Sequence, residues 1–262
     1  MAFALLLSFL FLLVGCDVDT PQNTFAPEGD VARKQRDSFN LALWPAIAIF
    51  VIVEGGLIFA LIRFRQKRGQ DLPKQVHGNL RLEVAWTIAP AILLLALAVP
   101  MLDGVIDLAR DPSEGALRVK VMGQRFDWSF EYPDLKDAGG EPLFVPGACQ
   151  AGMCGELHIP VGREIGASLE SADVIHSFWV PKLAGKLDVV PGRTNSFFFN
   201  AITPGTYSGQ CAEFCGEGHA EMRLTVIAES EAEFQAWVDE QLEKQQAAKS
   251  GPGEMELARQ RE

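Results

Sequence analysis

The sequence predicts two N-terminal transmembrane helices forming a helical hairpin, followed by an all-β Greek-key barrel or sandwich with a C-terminal helix. Three observations carry that reading. Two long apolar runs stand in the first hundred residues and together hold a single charged residue. Beyond about residue 110 the texture changes to short alternating stretches broken by Pro-Gly and Gly-Gly turns. A capping-box sequence then opens a last helical run.

The apolar runs cover residues 41–62, interrupted only by Glu54, and 84–102, which carries no charge. At about 1.5 Å rise per residue, each spans most or all of a hydrocarbon core of about 30 Å. Both runs are apolar all round, whereas a core helix of a soluble protein keeps one polar face. We place the helices at about 40–64 and 83–105 within a hairpin of 39–110. Between them, around the connecting loop 65–82, lie Arg63-Phe-Arg-Gln-Lys-Arg68, Lys74 and Arg81, with only Asp71 opposing. The positive-inside rule puts that loop in the cytoplasm, so the chain on either side of the hairpin faces outward.

Before the hairpin, residues 3–15 form an apolar run too short to span, which reads as the h-region of a signal peptide over 1–15. Leu13-Val14-Gly15-Cys16 has the form of a lipoprotein cleavage box, making Cys16 the expected lipid-bearing residue, although no Lys or Arg precedes the run. Residues 16–38 are then an exported segment.

Charge is unevenly divided. Residues 1–110 hold 10 basic and 10 acidic residues, so the net charge of −11 resides entirely in 111–262. An acidic outer domain disfavours nucleic acid and speeds encounter with a cationic partner. Its expected strands are 117–122, 126–132, 155–160, 164–170, 194–200, 205–209 and 223–228, a spacing that suggests an antiparallel sandwich or barrel over 111–229. Ser230-Glu-Ala-Glu233 caps a helix over 230–247 with Phe234, Trp237, Val238 and Leu242 on one face. The polar residues 248–262 read as a disordered tail.

The chemistry concentrates in Gly209-Gln-Cys211-Ala-Glu-Phe-Cys215-Gly-Glu-Gly-His219-Ala-Glu-Met222. Two thiols, an imidazole and a thioether within one loop form a soft donor set that favours copper. Two thiolates on one tight loop can bridge two copper ions, each of which then needs a terminal imidazole. His176, at an expected strand end, supplies the second one. Met222 would be a weak axial ligand and the Glu213 carbonyl could serve the other ion. A Cys211–Cys215 disulfide and a structural zinc site are the competing readings, though a thioether suits zinc poorly. Cupredoxin-like domains draw their ligands in this way, one from an upstream strand and the rest from a late loop.

Val174-Ile-His-Ser-Phe-Trp-Val-Pro181, Lys186-Leu-Asp-Val-Val-Pro-Gly-Arg193 and the loop through His219 closely resemble subunit II of cytochrome c oxidase. Glu83-Val-Ala-Trp-Thr-Ile-Ala-Pro90 and Asp127-Trp128 extend the resemblance over about residues 35–245. The resemblance implies a dinuclear copper centre held by His176, Cys211, the Glu213 carbonyl, Cys215, His219 and Met222. It also implies a magnesium ion on the Glu213 side chain shared with subunit I, haem in that partner subunit only, and association with subunits I and III. It further implies a bacterial inner-membrane location with the copper domain on the periplasmic or extracellular side. Cytochrome c is the implied electron donor and Glu83 the implied entrance of a proton pathway. The family's docking aromatics map to Phe126 and Trp128, the first a Phe where the family usually has Trp. Cys149 and Cys154 fall outside the family pattern and read as a local disulfide. Three alternatives remain beside this one: a quinol oxidase subunit, the copper domain of a nitric oxide or nitrous oxide reductase, and a membrane-tethered copper-delivery protein. No Cys-x-x-Cys-His occurs in these residues, so a fused c-type cytochrome is not expected among them.

Overall fold

A computed structural model describes residues 20–65, 69, 77–147 and 155–249. The chain divides into two compact units. One is the helical unit over Arg36–Asp107; the other comprises the remainder, with the β-domain at its centre.

The helical unit contains most of α1 (Asp30–Arg63) and α2 (Leu80–Leu108). Both are long and apolar enough to cross a membrane, and no residue of their apolar windows is buried. Asn79 caps α2, its side-chain oxygen accepting from the backbone N–H of Arg81 at 3.1 Å. Glu83 reaches back to accept from the Asn79 N–H at 3.1 Å. The Glu83 carboxylate is thus part of the helix cap, whatever else it does.

The β-domain is a sandwich of two five-stranded sheets. Its strands are β1 (Leu117–Gln124), β2 (Asp127–Lys136), β3 (Pro142–Val145), β4 (Glu156–Pro160), β5 (Ile165–Ser171), β6 (His176–Trp179), β7 (Leu187–Val189), β8 (Asn195–Phe199), β9 (Gly205–Cys211) and β10 (Arg223–Glu229). One sheet runs β3-β2-β1-β5-β8 and the other β4-β10-β9-β6-β7. Strand β1 shows why the sheets stack. Leu117, Val119 and Val121 alternate inward and are buried, while the residues between them face outward. Trp128, Phe130, Phe178, Leu157, Ile159 and Val226 fill the layer between the sheets.

The structure corrects the sequence reading in three places. The sheets are not wholly antiparallel: β1 pairs with β5 and β4 with β10 in parallel, because the chain crosses between sheets before returning to each. Strands β3, β6 and β7 have no range among the expected strands, although His176 is expected at a strand end; they are only four, four and three residues long, and β3 and β7 lie at sheet edges. Helix α1 begins at Asp30 rather than near 40, so residues 30–38 of the expected 16–38 segment belong to the helix. Asn200, at the end of β8, accepts from the Asp30 N–H at 2.9 Å and donates to its carboxylate at 2.7 Å, capping the helix from 170 positions away. Val31 and Ala32 are buried, and the Glu28 and Ala32 N–H groups bond the Lys182 and Leu183 carbonyls.

The C-terminal helix α3 (Glu231–Lys249) starts as its sequence predicts. Ser230 Oγ accepts from the Glu233 N–H while the Glu233 carboxylate accepts from the Ser230 N–H. Phe234 and Val238 are buried against the β-domain.

The strap from α2 into β1 is held by Glu164, whose carboxylate accepts from Arg110 at 2.5 Å and from the Ser113 N–H at 2.6 Å. The Arg110 guanidinium leads the causes that lower its pKa from the ordinary 4.5 to about 2. A depressed folded pKa contributes stability that is full above about 4.5 and lost as pH falls towards 2. Glu164→Gln should therefore lower the urea midpoint of the full-length chain at pH 7, with the difference from wild type vanishing near pH 2.

Candidate metal centre

Strand pairing assembles the site. Phe178 lies opposite Cys211 and Trp179 opposite Gln210, which lays the start of β6 beside the end of β9. His176, fully buried, stands there with its Nδ1 3.9 Å from Cys211 Sγ. The loop from Cys211 to Met222 is closed by the Cys211 N–H donating to the Met222 carbonyl at 2.9 Å, and anchored by the Ala212 N–H on the Ser177 carbonyl. Inside it, His219–Glu221 form a single 3₁₀ turn, and Met222 leads directly into β10.

The two thiols are 3.9 Å apart. That is far beyond a disulfide bond of about 2.05 Å, yet less than twice a thiolate–metal bond of about 2.3 Å, so one ion can touch both sulfurs. Cys215 Sγ is 3.7 Å from His219 Nδ1 and 3.8 Å from Met222 Sδ, while Cys211 Sγ is 3.2 Å from the Glu213 carbonyl oxygen. Each sulfur thus has its own imidazole, and the two outer donors, thioether and carbonyl, lie on opposite members of the pair. All six residues named from the sequence come together here. The Glu213 side chain is exposed and points out of this cluster's buried part.

Burial by itself would raise the Cys211 thiol, but interactions led by the His176 imidazole bring it down to about 6. Burial and then the charge on Cys211 push Cys215 up to about 12. Left alone, the pair carries one negative charge; ionising both sulfurs calls for positive charge placed against them. Burial disfavours a charged His176, but Cys211 and Asp173 outweigh it and hold its pKa above the usual value.

Asp173 is the residue the sequence reading missed. Its carboxylate takes the far ring nitrogen of His176 at 2.8 Å, leaving Nδ1 directed at the sulfur. It also accepts from the Val174 N–H and from the Arg125 N–H and Nε. Burial works against its ionised form, yet these donors, His176 first, hold its carboxyl well below the usual range. An acid three residues before a ligand histidine was the available signal.

The expected docking aromatics separate. Trp128 is fully buried, edge-on to His176 with ring centroids 6.0 Å apart, so it offers no surface to a partner. Phe126 is half-buried and covers the ligand loop at Gly216 and Gly218; Gly216 has φ +136, a value suited to glycine. A Cβ at Gly218 would lie 2.6 Å from the Phe126 ring. Gly218→Ala should displace that ring and cost about 1–3 kcal/mol, read as a lowered denaturation midpoint. Cys16, Cys149 and Cys154 lie outside the described residues. Among the described residues, Cys211 and Cys215 are both free thiols.

Comparison with known proteins agrees with this architecture. Residues 117–229 match the family model described as cytochrome c oxidase subunit II, periplasmic domain, and residues 29–103 match that family's transmembrane domain. Cytochrome c oxidase subunit 2 of Alkalihalophilus pseudofirmus is 38% identical over 240 residues, covering 89% of this chain and 66% of that protein. The protein of the same name from Cereibacter sphaeroides is 33% identical over 228 residues, covering 78% and 74%. The chain spans just under two thirds of the length of the Alkalihalophilus pseudofirmus and Bacillus subtilis relatives, at 66% and 65%. The crystal structure of the periplasmic domain of subunit II of cytochrome oxidase from Bradyrhizobium japonicum aligns with a TM-score of 0.44 and 32% identity, covering 50% of this chain and 97% of that one. With its membrane hairpin and its outer domain each matched by one family's models, and a whole relative matched at 33% identity over 74% of its length, this chain belongs to the cytochrome c oxidase subunit II family.

Proposed function

We propose that the chain is the electron-accepting subunit of a respiratory cytochrome c oxidase and holds a dinuclear copper centre in its outer domain. The observation that carries this reading is the pair of buried thiols 3.9 Å apart, each flanked by its own imidazole. When bound, two coppers sharing both thiolates would take up and release one electron without making or breaking a substrate bond. His176 and His219 would be the terminal ligands, Met222 Sδ and the Glu213 carbonyl the weak ones. The buried sulfurs keep water from the site, and Asp173 fixes the His176 ring, so little rearrangement accompanies a change of charge. The exposed Glu213 carboxylate is free to reach a magnesium ion shared with subunit I.

In this reading the acidic outer domain receives electrons from a cationic cytochrome c. The chain passes them to haem in subunit I, where oxygen is reduced and protons are pumped, with subunit III completing the assembly. Phe126, lying half-buried on the ligand loop, is an aromatic on that path. Glu83 is assigned to the mouth of a proton pathway in addition to its capping bond. The membrane is the bacterial inner membrane, with Cys16 as its lipid-bearing residue and Cys149 bonded to Cys154.

Metal analysis of the full-length chain with electron paramagnetic resonance tests the centre. Two coppers per chain, with hyperfine splitting shared over two equivalent nuclei, is the expected result. One copper with single-nucleus splitting, or zinc, would sink the proposal.

A further inference from the structure

Helix α1 carries one ionisable side chain inside its apolar span. Glu54 lies nine residues before Arg63 and thirteen after Leu41, about 13 Å and about 20 Å along the helix axis. It therefore sits near mid-depth in a hydrocarbon core of about 30 Å, too deep for so short a side chain to reach the headgroups. Its helical neighbours Phe50, Val51, Leu57 and Ile58 are all exposed. Residues 84–102 of α2 contain no charged group, and among the described residues nothing hydrogen-bonds or ion-pairs with Glu54.

The helix cannot satisfy an ionised carboxylate by itself. Such a group only accepts hydrogen bonds, and the backbone N–H groups in mid-helix are already spent on the carbonyls four residues back. Lipid tails offer no donor. Intramembrane carboxylates are costly, and in folded assemblies they face protein or water rather than lipid. Next to Glu54, an added Cβ at Gly55 would meet nothing within 4 Å, leaving bare backbone at the margin of that face against which another helix can close.

We propose that the Glu54 face of α1 docks against a membrane helix of another oxidase subunit, and that this helix brings a hydrogen-bond donor to the Glu54 carboxyl. The donor is a hydroxyl or amide side chain. This rests on the reading of the chain as an oxidase subunit and adds to it the residue that specifies where the helices meet.

The test uses the full-length chain, tagged and purified with its partners in mild detergent, with co-purified haem per chain as the readout. Glu54→Leu keeps the span apolar and should lower retained haem about 3- to 20-fold, the range expected for one intramembrane hydrogen bond. Glu54→Gln keeps an acceptor and should stay within about twofold of wild type. Copper per chain, set by the separate outer domain, should be unchanged in both and reports folding. A photo-crosslinking residue at Val51 or Ile58 should form an adduct with another subunit. Wild-type haem retention in Glu54→Leu, equal loss in both variants, or adducts with lipid alone would each overturn the proposal. Failure of the wild-type chain to retain any haem-bearing subunit would instead overturn the oxidase reading beneath it.

Discussion

Cys215→Ser is expected to reduce bound copper from two ions per chain to one or none and to take electron transfer through the chain to background. Cys215 lies within 3.9 Å of Cys211 Sγ, His219 Nδ1 and Met222 Sδ. A serine hydroxyl is close in size, so the β-domain should keep its fold. It is, however, a hard and essentially neutral donor at pH 7 and cannot bridge two soft ions as a thiolate does. Copper analysis and paramagnetic resonance on the purified variant, with circular dichroism as the folding control, decide the matter. Retention of two coppers with a shared hyperfine pattern would show that Cys215 is no bridge. Cys211→Ser should behave alike, since Cys211 stands 3.9 Å both from its own imidazole and from the other thiol.

Asp173→Asn should weaken copper retention about 10- to 100-fold while leaving all six proposed ligands in place. The carboxylate does two things at once. Through the bond of 2.8 Å it holds the far nitrogen of His176, and through the Arg125 backbone and side chain it ties the approach to β2 to the same strand end. Asparagine preserves the shape but keeps a single acceptor oxygen, so it can serve the Val174 N–H or the Arg125 N–H groups, which bond different carboxylate oxygens, and not both. It removes the negative charge that makes the imidazole a stronger donor to a metal. Competition with a copper chelator gives the affinity, and the hyperfine coupling reports whether the His176 ring has changed its bond. Unchanged affinity and an unchanged spectrum would reduce Asp173 to a turn-forming residue.

Much of this site is legible in the order of residues alone, because its signals are local. Cys211, Cys215, His219 and Met222 fall within a dozen residues, and their donor types alone exclude most metals. The hairpin is legible for a similar reason: composition over about twenty residues suffices to name a membrane span. The Ser230–Glu233 capping box is legible because its partners lie three positions apart. What escapes the sequence has partners far away or signals too short. Strand β7 has three residues and borrows its identity from β6. The start of α1 depends on Asn200, a cap no window of sequence contains. The resemblance implies a docking role for Trp128 beside Phe126, yet β2 turns it inward against His176 and Phe178.

By itself, then, the sequence determined what the chain is made to hold and where it is anchored: soft ligands at fixed spacing, and spans long enough for lipid. Side-chain chemistry and hydrophobic length are properties of the residues themselves, readable without knowing their neighbours. Only the tertiary structure decided which imidazole faces which thiol, that Asp173 orients the first of them, and that Phe126 rather than Trp128 covers the loop. Those outcomes depend on strand register between β6 and β9, where a shift of one residue would turn His176 away from Cys211.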